Sequence, residues 1–141
     1  MIEVKYNDLM CYARSGSGYE NFTELKELNK GLYRYITFSI FSNEDIPAGS
    51  FMFYPMPGCC GIVVSTGTYL HKQFRGGQLS RDFRVLKERI AKELGYSCMI
   101  ATTKMDDIPA RKNMEKGNYK FVEEFVNSRT GNRLGIGGKL L

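Results

Sequence analysis

The sequence predicts a mixed α/β domain, a sheet covered by helices. Three observations carry this. Short apolar runs separated by turn signals fill much of the first seventy residues. One long amphipathic run over 77–94 reads as a helix. After it, strand and helix patterns alternate and close in a hairpin. The 141 residues suit one domain spanning 1–141. With 43% apolar and 25% charged residues, the chain has enough material for a core and is not a disordered polymer. No run of about 18 apolar residues is present, so no membrane-spanning helix is expected. The start, Met1-Ile2-Glu3-Val4-Lys5-Tyr6, lacks a basic segment followed by an apolar one, and a cytoplasmic protein without a secretory signal is expected.

Each element has its own reason. Ile2, Val4 and Tyr6 alternate with Glu3 and Lys5, which predicts a strand. Asn7 to Ala13 reads as a short helix, and Arg14 to Gly18 as a flexible loop by composition. Asn21-Phe22-Thr23-Glu24 has capping-box spacing and opens a helix to about Asn29, ended by Gly31. Tyr33 to Phe41 is a strand with Ile36, Phe38 and Ile40 on one face. A turn over 43–49 leads to a strand at Phe51–Tyr54, broken by Pro55-Met56-Pro57-Gly58. A third strand runs from Ile62 to Leu70, with Gly67 as a bulge or splay point.

The helix over 77–94 is the clearest element. Leu79, Phe83, Leu86, Ile90 and Leu94 recur every three or four residues and line one face. Glu88 precedes Lys92 by four, a favourable order on an exposed face. Gly95 is the natural C-cap. Cys98 to Thr102 is a buried strand. Asp106-Asp107-Ile108-Pro109 starts a helix that ends near Lys116. Tyr119–Val126 and Leu134–Leu141 form the closing hairpin around a turn at 129–132.

Net charge is +5 but unevenly placed: residues 1–70 sum to −2 and the remainder to +7. A basic C-terminal half suggests a phosphorylated cofactor, nucleic acid or an acidic protein as partner; a solvated basic face is the plain alternative. The cysteines Cys11, Cys59, Cys60 and Cys98 contain no Cys-x-x-Cys pair, and His71 is the sole histidine, so no metal site is expected. Reduced, mostly buried thiols are expected instead.

Chemistry concentrates between the third strand and the long helix, at His71-Lys72-Gln73-Phe74-Arg75-Gly76-Gly77-Gln78-Leu79-Ser80. A strand, an Arg-Gly-Gly turn and a helix N-terminus form an anion site. Glycine lets backbone approach, unpaired N–H groups point outward, and the helix dipole favours negative charge. The spacing is neither a Walker A loop nor Gly-x-Gly-x-x-Gly. By itself, such a turn also serves as mere punctuation.

From Thr68 to Tyr119 the residues resemble the GNAT superfamily of acyl-CoA-dependent N-acetyltransferases. The family's strand ending in a branched apolar residue is matched by Leu70. Its aromatic-Arg-Gly-x-Gly-x-Gly/Ala turn is matched by Phe74-Arg75-Gly76-Gly77-Gln78-Leu79-Ser80, and its helix ending in glycine plus an aromatic by Gly95-Tyr96. Met99 to Thr103, Asp107, Ala110, Met114 and Gly117-Asn118-Tyr119 follow the next strand, helix and corner. The likeness covers about half the chain directly. Gln78 and Ser80 stand where glycine or alanine is usual, Asp107 replaces Asn, and Met114 takes the place of the Tyr that commonly protonates the departing thiolate.

The resemblance implies a GNAT-like, mixed, mostly antiparallel twisted sheet flanked by about four helices, with acetyl-CoA as acyl donor. Its pyrophosphate would rest on the N–H groups of Arg75, Gly76, Gly77, Gln78, Leu79 and Ser80, with Arg81 nearby. The pantetheine would lie strand-like beside Thr68, Tyr69 and Leu70, bonded to the backbone of Thr68 and Leu70. The splay near Gly67 would expose an N–H to the thioester carbonyl.

No base stands out. The strand Ile62–Thr68 carries no ionisable group. Thr66 or Thr68 can hold a water, His71 sits at the strand end, Asp107 doubles as a helix cap, and Glu123 and Glu124 lie on a later strand. The aromatic run at 51–56 either shapes an acceptor pocket or packs as core, and the loop at 15–18 either gates an acceptor or is a linker. Two readings follow. One is an N-acetyltransferase in which a neutral amine, on a small molecule or a protein, attacks acetyl-CoA directly. The other is a catalytically degenerate module of that fold, binding CoA or a protein partner. A nucleic-acid binder ranks last, for want of a motif or a Lys/Arg run. A homodimer formed by exchange of the C-terminal strand is left open.

Overall fold

The computed structural model describes residues 2–6, 9–14, 36–42, 44–56 and 58–141. They form one eight-stranded sheet with two α-helices. The strands are β1 (Ile2–Tyr6), β2 (Leu9–Arg14), β3 (Ile36–Ser42), β4 (Pro47–Pro55), β5 (Ile62–Leu70), β6 (Cys98–Lys104), β7 (Lys120–Val126) and β8 (Arg133–Leu140). Helix α1 spans Gln78–Glu93 and α2 spans Ile108–Lys116. The strand order is β1-β2-β3-β4-β5-β6-β8-β7. Among the described residues β5–β6 is the one parallel pairing, and it is reached through the α1 crossover, as parallel pairing requires.

The segment expected as a short helix, Asn7 to Ala13, is instead the second arm of a hairpin. Tyr6 pairs with Leu9 and Ile2 with Ala13, and β2 then pairs along its whole length with β3. Two flanking strands satisfy its backbone, so pairing overrides a weak local preference. The turn expected over 43–49 is shorter, because β4 already begins at Pro47. The helix expected over 21–29 and the loop over 15–18 lie outside the described residues.

The core sits between the sheet and α1. Phe38 and Ile40 on β3, Phe51 and Phe53 on β4, Val63 on β5 and Met99 on β6 meet Phe83, Leu86, Ile90 and Ala91. Phe51 is the hub. It stacks on Phe38 at 4.7 Å between centroids and meets Phe83 edge-on at 6.0 Å. The aromatic run at 51–56 therefore supplies core through its alternate residues Phe51 and Phe53. Gly95, at φ +92°, stops α1 as expected, and Asp107 caps α2 by accepting from the Ala110 N–H at 3.2 Å.

Two local expectations change. Glu88 is not on an exposed face. Its carboxylate takes Lys139 of β8 at 2.7 Å, with Arg84 Nε at 4.0 Å, in place of Lys92. Cys59 and Cys60 are exposed free thiols on the β4–β5 turn, and Cys98 is half-buried. That turn lies outside the buried core, which is why both thiols are exposed. β8 is inserted between β6 and β7 of its own chain.

Candidate functional site

The site forms where β5 and β6 part. Their pairing runs from Ile62–Cys98 to Ser65–Ala101 and stops. Beyond that point β6 stays against β8 through Lys104, while β5 bends away. The bend is a bulge: Ser50 faces Tyr69 and Met52 faces Thr66, so β5 carries one residue more than β4. Gly67 adopts the φ of +58° that the bend needs, and a Cβ there would press on Met52 Cε at 2.7 Å. Residues 66–70 keep β4 on one edge and lack a paired strand on the other among the described residues. On that edge the Leu70 carbonyl accepts from Arg75, and Thr66 to Thr68 border a cleft.

This cleft measures about 490 Å³, a size suited to a cofactor or substrate. Thr66, Thr68 and Leu70 of β5 line it. So do Ser80, Arg84 and Lys87 of α1, Lys104 of β6, and Asp107, Met114 and Tyr119 around α2. Three cations against one carboxylate give it a positive character. That carboxylate is already engaged as the cap of α2.

The turn joining β5 to α1 borders this cleft through Ser80. A short 3₁₀ turn over Lys72–Phe74 is closed by Phe74 N–H to His71 O at 2.9 Å and Arg75 N–H to Lys72 O at 3.2 Å. Gly76 then adopts φ +79°, and Gly77 caps α1. Ser80 N–H donates back to Gly77 O at 3.2 Å. The N–H groups of Gly76, Gly77, Gln78 and Leu79 have no partner among the described residues. Residues 75–78 are exposed, and α1 has no acidic residue in its first turn. These amides and the α1 dipole make an electropositive cradle. Gln78 and Ser80 are not at positive φ, so neither position needs glycine for its amide to serve.

The remaining residues singled out in the sequence divide clearly. Arg75 folds back: its Nε donates to Leu70 O at 2.6 Å and its guanidinium lies 5.4 Å from the Tyr69 ring centroid. Of the Leu70 backbone groups expected to bond the ligand, the carbonyl therefore already has a partner. Leu79 packs against the core, and Arg81 lies outside, near Gln78 Oε1 at 3.4 Å. His71 is not part of the cleft; its ring meets Tyr69 edge-on at 5.1 Å. Glu124 pairs with Arg133, and neither Glu123 nor Glu124 lines the cleft.

One residue escaped the sequence reading. Lys87 is 9% exposed. Its Nζ donates to Ser65 Oγ at 3.1 Å and Thr68 Oγ1 at 3.0 Å, on either side of the Gly67 bulge. Burial lowers its pKa from the usual lysine value to about 8, partly opposed by the Glu88 charge. The signal was present. Lys87 follows Phe83 by four and precedes Ile90 by three, so a cation interrupts the buried stripe. Beside it, Arg84 Nη1 donates to Asn113 O at 2.6 Å, tying α1 to α2, while its Nε is buried without a hydrogen-bond partner. Tyr119 donates to Met99 Sδ at 2.9 Å, and burial raises its phenol pKa; Tyr96 is pushed up to about 12 for the same reason.

No family model matches the sequence, and no curated protein is significantly similar to it. Solved structures are similar in fold. Spermidine N-acetyltransferase from Vibrio cholerae, solved with CoA and spermine, superposes with a TM-score of 0.71 at 13% identity, covering 96% of each chain. A GCN5-related N-acetyltransferase from Brucella melitensis gives 0.71 at 10% identity, covering 98% of this chain and 78% of that one. The yncA protein from Salmonella typhimurium, solved with its cofactor acetyl-CoA, gives 0.62 at 11% identity, covering 93% and 94%. The chain has the GNAT fold.

Proposed function

We propose that this GNAT-fold chain is an acyl-CoA-dependent N-acyltransferase that moves an acetyl group from acetyl-CoA to an amine. One observation carries the reading: the unpaired edge of β5 lines a cleft of positive character, and the start of α1, with four amides unpartnered among the described residues, adjoins that cleft at Ser80. A long ligand with a diphosphate at one end and amide groups along its arm fits this combination. The relatives solved with CoA or acetyl-CoA support it.

The residues present fit such a ligand. The amides of Gly76 to Leu79 would take the diphosphate, with the exposed Lys72 and Arg81 adding charge. The free edge of β5 at Thr66–Thr68 would bond its arm. Acetyl-CoA, when bound, supplies an activated acyl carbon. The chain contributes position and charge: the bulge holds backbone groups at one point, and Arg84, Lys87 and Lys104 make the cleft positive. Among the described residues the cleft has no carboxylate or histidine free to serve as base, so the acceptor would enter as a neutral amine or lose its proton to water held by Thr66.

The competing reading is a module of the same fold that binds CoA or a protein partner without turnover. Met114 on the cleft wall and the engaged Asp107 favour it. Thermal denaturation with saturating acetyl-CoA, followed by a free-thiol assay over a panel of small amines, polyamines and peptide amines, separates the two. Stabilisation with thiol release supports the transferase. Stabilisation without release supports the module. No stabilisation rejects both.

A further inference from the structure

Lys87 places a cation where an apolar residue would pack at lower cost. It lies on the buried face of α1, with its Nζ 5.9 Å from the Phe51 ring centroid and 6.0 Å from that of Phe83. Its two hydrogen-bond acceptors, Ser65 Oγ and Thr68 Oγ1, are neutral. No carboxylate lies within ion-pair distance among the described residues, because Glu88 is turned to Lys139 and Arg84. A desolvated, unneutralised ammonium costs several kcal/mol. Lys87 also lines the cleft, and two acceptors leave one of its three N–H groups for a ligand. Among the described residues the arrangement is that of a cation without a counter-charge, one that a bound anion can supply.

We propose that Lys87 is the catalytic acid of this site: it stabilises the sulfur anion released from the thioester and gives it a proton. The proposal rests on the acyl-transfer reading above. In the step, the acceptor nitrogen forms a C–N bond as the C–S bond breaks, and the bonding pair leaves on sulfur. The Lys87 N–H proton passes to that pair, giving a thiol and a neutral amine. The proton released by the acceptor nitrogen returns Lys87 to its charged form through solvent. The proton thus comes from α1, since Met114 on the α2 wall has none to give.

The charged and titratable groups facing Lys87 set its behaviour. Arg84 and Glu88 lie on its own helix, Lys104 ends β6, Asp107 caps α2, Tyr119 closes the far wall, and Lys139 of β8 acts through Glu88. Burial lowers its pKa and the Glu88 carboxylate opposes that in part. With a pKa near 8, it is close to an ordinary thiol, so the proton moves with little bias.

The test titrates CoA bound to the protein by its thiolate ultraviolet absorbance, with desulfo-CoA, which lacks the thiol, as the binding control. Wild type should titrate the bound thiol at least one pH unit below free CoA. Lys87→Met should raise that titration above the free value, with desulfo-CoA affinity changed less than threefold. Lys87→Arg should keep the low titration, because arginine stays charged, yet lose tenfold or more in kcat, because it cannot give up its proton. Equal thiol titrations in wild type and Lys87→Met overturn the proposal and leave the CoA reading standing. Failure of wild type to bind either ligand overturns both. Should Lys87→Met not fold, Glu88→Gln decides: it should move the descending limb of kcat against pH to lower pH, and an unmoved limb counts against Lys87. Acetylation of Lys87 itself, seen by mass spectrometry, overturns the acid role, since an amide has no proton to give.

Discussion

The Arg75–Ser80 turn and the seat of Lys87 belong to adjoining stretches of chain, yet they are made by opposite means. The turn is backbone: amides without partners, exposed to water, held by one left-handed glycine and a helix start. The seat is side chain: an ammonium, two hydroxyls and two rings brought together from α1, β4 and β5 at the buried wall of the cleft. Amides in water need no compensation while they wait for an anion. A buried ammonium does, and its lowered pKa records the cost. The turn is thus cheap to keep and easy to imitate, whereas the seat persists against a penalty. That difference is why Lys87 is the more informative of the two about function.

Four measurements would break or sharpen the contrast. The largest effect belongs to Phe51→Ala. The ring is fully buried and contacts Phe38, Phe53 and Phe83 while lying over Lys87. Chemical denaturation should show a loss of about 3–5 kcal/mol. A loss under about 1 kcal/mol would mean that the seat is not part of the core.

Next comes Gly77→Asp. Gly77 has an ordinary negative φ, and a Cβ there meets open space, so the fold tolerates the change. Aspartate is a good N-cap, and thermal stability should hold or rise. Its carboxylate would occupy the amides and repel a diphosphate, weakening CoA binding at least tenfold, about 1.4 kcal/mol. Undiminished affinity by calorimetry would place the anion elsewhere.

The third is stability against pH. The folded pKa of Lys87 lies below its unfolded value, near 8 against 10.5. Across that window the unfolded chain binds more protons, so Lys87 makes stability rise with pH. Tyr96 and Tyr119 act in the opposite sense. Their folded pKa values are raised, and they erode stability above about pH 10, where the unfolded phenols ionise. Denaturation midpoints should therefore climb from pH 8 to 10 and then turn down. Lys87→Met should flatten the climb and keep the fall. An identical climb in that variant would show that Lys87 is not desolvated.

The smallest effect is expected from Arg75→Ala. Its bond to Leu70 O and its contact with Tyr69 are both exposed, so the melting curve should report less than about 1 kcal/mol. A larger loss would show that the turn leans on side chains after all, and the contrast would weaken.

Elements with strong local signals were legible: the α1 stripe, the Gly67 bulge, the Gly95 stop and the Asp107 cap. Leu9–Arg14 was not, because its strand character comes from β1 and β3 on its two sides and not from its own residues. Glu88 looked like half of a surface pair with Lys92, and only the approach of β8 turns it to Lys139. Of the catalytic candidates, Thr66 and Asp107 do line the cleft, whereas His71 does not. Proximity in sequence to the turn says nothing about the direction of a side chain at a strand end.

By itself, the sequence determined the parts whose physics is local: helix periodicity, caps, glycine at positive φ, and a run of amides that a helix start leaves unpaired. Tertiary structure alone decided which charges are buried, which are paired and which strand edge is open. Those depend on distances between segments far apart in the chain. The Lys87 ammonium becomes a candidate for chemistry only when β4 and β5 close over it and Glu88 turns away.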